Sequence, residues 1–138
     1  MSITKGQCLC GQIEIEMDGE PKMQGNCHCT DCKQATGSTY ASLVFFPSES
    51  VKVTSGELKE FQHTADSGSK MTKMFCPNCG GLMLGKNSAR EGFTAVYIGC
   101  VVEPKWKVQP AFNVWVSRKL DGTLIDSNIP SFEENKTA

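Results

Sequence analysis

The chain has 138 residues, 14 Lys and Arg against 15 Asp and Glu, a formal net charge of −1, and eight cysteines. A chain of this length is one ordinary domain able to bury about two-thirds of its unfolded surface, so the cysteines are not there to staple a fold too small to hold itself. A near-neutral charge with no basic cluster argues against a nucleic-acid partner, and apolar runs stopped at Pro47 and interrupted at Gly99 are too short to span a membrane.

The N-terminal stretch Met1 to Gln7 has no apolar core and no cleavage pattern, which sets the expectation of a cytoplasmic location where thiols stay reduced. Ile13, Ile15 and Met17 then alternate with Gln12, Glu14 and Glu16, the period-two pattern of a half-buried strand. Asp31 to Thr36 reads as a short helix closed by Gly37, a residue free to take the left-handed conformation that ends helices. Tyr40 to Phe46 is a strand stopped at Pro47-Ser48. Val51 to Val53, the Ser55-Gly56 turn and Leu58 to Gln62 predict a hairpin, and Ala65 to Ser69 a turn before a strand from Met71 to Phe75. Thr94 to Val102 predicts one apolar strand, and Phe112, Val114 and Val116 alternate with Asn113, Trp115 and Ser117. The expected fold class is mainly β, a single domain over residues 1–138 with its core at about 5–117 and a polar tail, about 131–138, that frays.

Seven of the eight cysteines fall into three groups. In a reducing compartment such groups read as metal or catalytic sites before disulfides. Cys76-Pro77-Asn78-Cys79-Gly80 is a tight turn that points two thiolates at one ion, with proline setting its start and glycine tolerating positive φ after the second cysteine. A closed tetrahedral site needs two more ligands. Cys8 and Cys10, two apart on one face of an extended segment, supply them, giving a structural zinc on Cys8, Cys10, Cys76 and Cys79. Cys27, Cys29 and Cys32, packed into six residues, would fill three positions of a second zinc and leave the fourth open, the pattern of a catalytic and more labile site. His28, between two of these ligands, is expected to point away from the ion and to line a pocket or bond a backbone carbonyl. His63 is expected at the surface, and Cys100 in the core. Lys33, beside the second group, is either solvated or a partner for a substrate carboxylate.

Three sulfur ligands weaken zinc as a Lewis acid and favour a soft fourth ligand, a thiolate, so the residues alone point to a thiol-containing substrate. The residues Gly6-Gln7-Cys8-Leu9-Cys10-Gly11, then Cys27-His28-Cys29-Thr30-Asp31-Cys32-Lys33 with Thr36-Gly37-Ser38, then Phe75-Cys76-Pro77-Asn78-Cys79-Gly80, resemble the glutathione-dependent formaldehyde-activating enzyme family, whose domain is also called the centromere protein V/formaldehyde-activating domain. The resemblance implies a Mss4-like antiparallel β fold. It implies a structural zinc on Cys8, Cys10, Cys76 and Cys79, and a catalytic zinc on Cys27, Cys29 and Cys32. It also implies a carbon–sulfur lyase reaction, forming or cleaving S-(hydroxymethyl)glutathione, with glutathione or a similar small thiol as the partner. Where many members carry a histidine in a P-x-x-H segment, this chain has Pro110-Ala111-Phe112-Asn113, and asparagine bonds hydrogen without shuttling a proton. Because fold does not fix function, the alternative is a non-catalytic zinc-binding module that holds a protein partner on the same scaffold.

Overall fold

The computed structural model describes residues 2–135. In chain order the strands are β1 (Ile3–Gln7), β2 (Glu14–Asp18), β3 (Met23–Cys27), β4 (Ala41–Pro47), β5 (Val51–Ser55), β6 (Lys59–Thr64), β7 (Lys70–Phe75), β8 (Leu82–Asn87), β9 (Phe93–Tyr97), β10 (Val101–Val102) and β11 (Asn113–Val114), with one α-helix, α1 (Thr30–Thr36), between β3 and β4. They form a four-stranded sheet in the order β10-β1-β2-β5 and a seven-stranded sheet in the order β11-β3-β4-β9-β8-β7-β6. The fold is thus mainly β, as expected, and its strand pairs are antiparallel except for β11, which lies parallel to β3 at one edge.

The alternation in β2 does what its pattern predicts: Ile13, Ile15 and Met17 are fully buried while Glu14 faces solvent. They meet Val44, Phe46, Met83, Leu84 and Val96 from the larger sheet, and the Phe46 ring meets Trp106 edge-on at 5.9 Å. Each such side chain contributes about 1.5–3 kcal/mol by leaving water, which makes this cluster the main cohesive element between the sheets. The helix runs one residue longer than expected and closes on Gly37 at φ 67°, whose N–H bonds the Lys33 carbonyl.

Four expectations are corrected. Val51 to Gln62 is not a hairpin: β5 pairs with β2 in the small sheet, whereas β6 pairs with β7 in the large one across the Ala65–Ser69 turn. Gly56, at φ +77°, passes so close to the start of β2 that a Cβ there would sit 2.7 Å from the Gln12 carbonyl oxygen, and Leu58 packs against the core, drawing the chain from one sheet to the other. The apolar run from Thr94 to Val102 is two strands, because a single 3₁₀ turn at Ile98–Cys100 carries the chain from β9 in the large sheet to β10 in the small one. It reads as continuous because the turn itself is packed in the core around Ile98 and Cys100. The alternation from Phe112 to Val116 yields only the two residues of β11, since Trp115 turns to φ 57° and a 3₁₀ turn follows. Of the tail expected to fray, Ser131 to Asn135 is tied down: Phe132 N–H bonds the Asn113 carbonyl, Trp115 N–H the Glu134 carbonyl, and Trp115 Nε1–H the Asn135 side chain at 2.9 Å. The remainder of that tail, residues 136–138, lies outside the described residues.

Candidate metal centres

The first cluster sits where two turns from different sheets meet. Cys8 and Cys10 follow β1 in a turn closed by Gly11 N–H on the Cys8 carbonyl, with Gly11 at φ +82°. Cys76 and Cys79 follow β7 in a turn one residue wider, closed by Gly80 N–H on the Cys76 carbonyl, with Gly80 likewise in the left-handed region at φ +76°. Backbone N–H groups point at the sulfurs in both: Ile13 N–H at Cys8 Sγ (3.2 Å), and Asn78 and Cys79 N–H at Cys76 Sγ (3.4 and 3.5 Å). Such donors favour thiolates. Backbone N–H groups of Cys10 and Gly81 hold the Cys79 thiol down to about 6, and hydrogen bonds from Asn78 and then from the Gln12 backbone lower Cys10.

All four sulfurs lie within 4.8 Å of one another, and Cys8–Cys10 and Cys10–Cys76 are each 3.7 Å apart. A tetrahedral ion with metal–sulfur bonds of about 2.3 Å needs sulfur–sulfur edges of about 3.8 Å, so this set fits a divalent ion such as zinc. The four residues expected to share one ion are therefore brought together.

The second cluster is local. Cys27 ends β3, Cys29 is the N-cap of α1, and Cys32 lies in its first turn. Cys29 Sγ accepts the Cys32 N–H at 3.2 Å, taking the place of the oxygen that usually caps a helix. The three sulfurs also lie within 4.8 Å of one another, with Cys32 buried and Cys27 and Cys29 half-buried. Hydrogen bonds from Cys27 and Cys32 hold the Cys29 thiol down to about 2, while the bond with Cys29 pushes Cys27 up to about 12 and those with Cys27 and Cys29 push Cys32 up as well. Three sulfurs so close compete for too few protons, a tension that a bound cation relieves. No fourth ligand joins this group among the described residues.

His28 points away from the cluster, as expected, but it bonds a side chain rather than a carbonyl. Fully buried, it places Nε2 3.2 Å from Asn113 Oδ1 and its ring 4.9 Å from the Tyr40 ring. Burial lowers its pKa, so the ring is neutral. Asn113, also buried, thus fixes one histidine nitrogen while the His28 backbone N–H bonds the Val114 carbonyl and docks β11. His63 is not a simple surface residue: it is half-buried, 2.9 Å from Lys73 Nζ and 3.8 Å from Asp31. Lys33 Nζ bonds the Arg118 carbonyl at an exposed position. Cys100 is in the core, its thiol pushed up to about 12 by burial.

Cys27 and Cys32 open into a cleft of about 140 Å³ walled by Phe45, Tyr97 and Trp115, with Lys73, Lys86, Arg90 and Arg118 along it. Burial pushes the Tyr97 phenol up, so it stays a hydrogen-bond donor there. These wall residues come from strands and turns far apart in sequence and carry no local motif. The one signal was Lys73, a lysine between Met71 and Phe75 at a position where the alternation asks for an apolar residue.

Residues 3–118 match the profile of the family described as glutathione-dependent formaldehyde-activating enzyme. A curated relative from Colletotrichum graminicola, described as a putative glutathione-dependent formaldehyde-activating enzyme, is 27% identical over 113 residues, covering 80% of this chain. The chain spans 58% of that relative's length. A crystal structure of a Rhodobacter sphaeroides protein superposes with a TM-score of 0.53 at 18% identity, covering 92% of this chain and 98% of that one, and shares its fold. No helix among the described residues is long and apolar enough to cross a membrane.

Proposed function

The chain belongs to the glutathione-dependent formaldehyde-activating enzyme family, and from that premise we propose that it is a zinc-dependent carbon–sulfur lyase. Its substrate is the adduct of a small, glutathione-like thiol with an aldehyde such as formaldehyde. The observation that supports this best is the contrast between the two clusters: one has four sulfurs and is closed, the other has three and opens into a cleft. Cys8, Cys10, Cys76 and Cys79 hold a structural zinc, and Cys27, Cys29 and Cys32 a catalytic one.

A zinc ion held by Cys27, Cys29 and Cys32 would supply affinity for a thiolate sulfur. The chain's own residues then set where the substrate lies. Phe45 and Trp115 wall the cleft and exclude water, and the Tyr97 hydroxyl offers a donor near Cys32. Lys86 and Arg90, farther along the cleft, suit the carboxylates of a glutathione-like thiol. In the cleavage direction the carbon–sulfur bond breaks, its electron pair stays on sulfur, and the hydroxyl oxygen loses its proton as the carbonyl forms. Holding thiol and carbonyl carbon in one cleft replaces a bimolecular encounter with an oriented one.

Exchange NMR of glutathione and formaldehyde over the zinc-loaded protein tests this, with elemental analysis alongside. Exchange above the uncatalysed rate, with two zinc ions per chain, is expected. One tightly held zinc, middle cysteines inert to alkylation and no added exchange with any small thiol would overturn it in favour of a binding module.

A further inference from the structure

Lys73 is at odds with its surroundings. It sits in β7 with 7% of its surface exposed, yet it makes no salt bridge among the described residues. An ammonium held out of water without a carboxylate is costly to bury, so its place in β7 calls for a role. Among the described residues its hydrogen-bonded partner is His63 Nε2, at 2.9 Å. An ammonium only donates, so Nε2 accepts and the His63 proton lies on Nδ1, which faces Asp31 Oδ2 at 3.8 Å.

The arrangement follows from strand register. Phe61 lies opposite Lys73 and His63 opposite Met71, so His63 reaches Lys73 diagonally across the β6–β7 pair. The Phe61 ring stacks on His63 at 5.9 Å and holds the imidazole in place. Asp31 belongs to α1, between Cys29 and Cys32. The line Asp31–His63–Lys73 therefore ties the second cysteine cluster to the far wall of the cleft.

Only one of the three Lys73 N–H groups is spent on His63, and none bonds a cysteine sulfur among the described residues. Both Lys73 and Asp31 line the same cleft as Cys27 and Cys32. We infer that Lys73, oriented by His63 and Asp31, is the catalytic residue that binds the oxygen of the aldehyde-derived carbon, so that the preferred substrates are those whose adduct carries an oxygen on the carbon bonded to sulfur.

This rests on the lyase reading and adds the oxygen's partner to it. As the thiolate sulfur forms its bond to the carbonyl carbon, the C=O π pair moves onto oxygen. The Lys73 N–H groups stabilise that negative charge, and the oxygen takes its proton from water to complete the hydroxyl. Lys73 keeps its own proton throughout. In the reverse direction the same donors hold the oxygen as its proton leaves and the carbon–sulfur bond breaks. Donors fixed where charge develops give the largest single effect of this kind, about 10²–10³ in rate.

Lys73→Met removes the charge and keeps the volume, a change that buried sites often accept without loss of stability. His63→Phe keeps the ring stacked on Phe61 and removes both nitrogens. Exchange rates at saturating glutathione and formaldehyde, read with zinc content and calorimetric glutathione affinity on the zinc-loaded full chain, decide the matter. Lys73→Met is expected to lower the saturated rate about 100-fold and to move glutathione affinity less than about threefold, with His63→Phe about tenfold slower. An unchanged rate in Lys73→Met overturns the inference, and so does a loss of glutathione affinity at unchanged saturated rate, which would make Lys73 a carboxylate anchor. Should Lys73→Met fail to fold, an unchanged rate in His63→Phe overturns it. Absence of exchange in the unsubstituted protein overturns the lyase reading first, and this inference with it.

Discussion

Replacing Cys76 by serine tests the division of labour between the two clusters. The residue is fully buried, its sulfur lies 3.7 Å from that of Cys10, and it accepts the N–H groups of Asn78 and Cys79. Binding of a structural zinc contributes about 10–16 kcal/mol in small zinc-dependent domains, so one ligand in four carries about 2.5–4 kcal/mol. For a chain of this size each kcal/mol moves the midpoint by about 3–4 °C, so Cys76→Ser should melt about 8–16 °C lower. It should also lose the tightly held zinc. Cys29→Ser is the control: a serine oxygen still caps α1 in place of the Cys29 sulfur, so its midpoint should move by only a few degrees while thiol binding disappears. Scanning calorimetry with elemental analysis reads both. Equal destabilisation by the two substitutions would refute the assignment of one closed structural site and one open site.

Three more outcomes follow from the geometry. A chelator of graded strength should remove the Cys27, Cys29 and Cys32 zinc first, abolishing thiol binding with little change in far-ultraviolet dichroism, and unfold the chain only when the second ion leaves. Gly25→Ala places a Cβ 2.3 Å from the Phe112 ring, so it should cost about 1–3 kcal/mol in urea unfolding and loosen β11 from β3. The Cys100 thiol is pushed up from 9.0 to about 12 by burial, so the unfolded chain gives up this proton before the folded one; stability should fall as pH rises from about 9 towards 12, and Cys100→Ala should flatten that limb of a urea-midpoint profile.

Much of the site could be read before the fold because metal ligands are declared by residue type and spacing, and both depend on the chain locally. Cys27, Cys29 and Cys32 converge through one strand end and one helical turn. Cys8 and Cys10 needed their distant partners, but the shortage of other cysteines left Cys76 and Cys79 as the pair to join them. The strands were less legible. β3, with the sequence Met-Gln-Gly-Asn-Cys, has no apolar alternation, because Gly25 is covered by a ring from a residue far along the chain, Phe112. The false hairpin at Val51 to Gln62 had suitable turn chemistry, yet β5 pairs back with the distant β2, and β6 turns forward to pair with β7 across Ala65–Ser69. Cleft residues such as Lys73 and Tyr97 meet only through sheet order, which no local pattern encodes.

The two clusters also differ in when they can exist. Cys10 and Cys76 are 66 residues apart, whereas Cys27 to Cys32 fall within six. On a ribosome, which extends the chain from its N-terminus, the three-sulfur set emerges whole while Cys8 and Cys10 still wait for partners not yet made. The three-sulfur cluster is thus complete in its residues first, and the four-sulfur cluster last. The four-sulfur set cannot converge until the chain has been made past β7 to Cys79, so it is a long-range feature that joins a turn of each sheet, whereas the three-sulfur set is local.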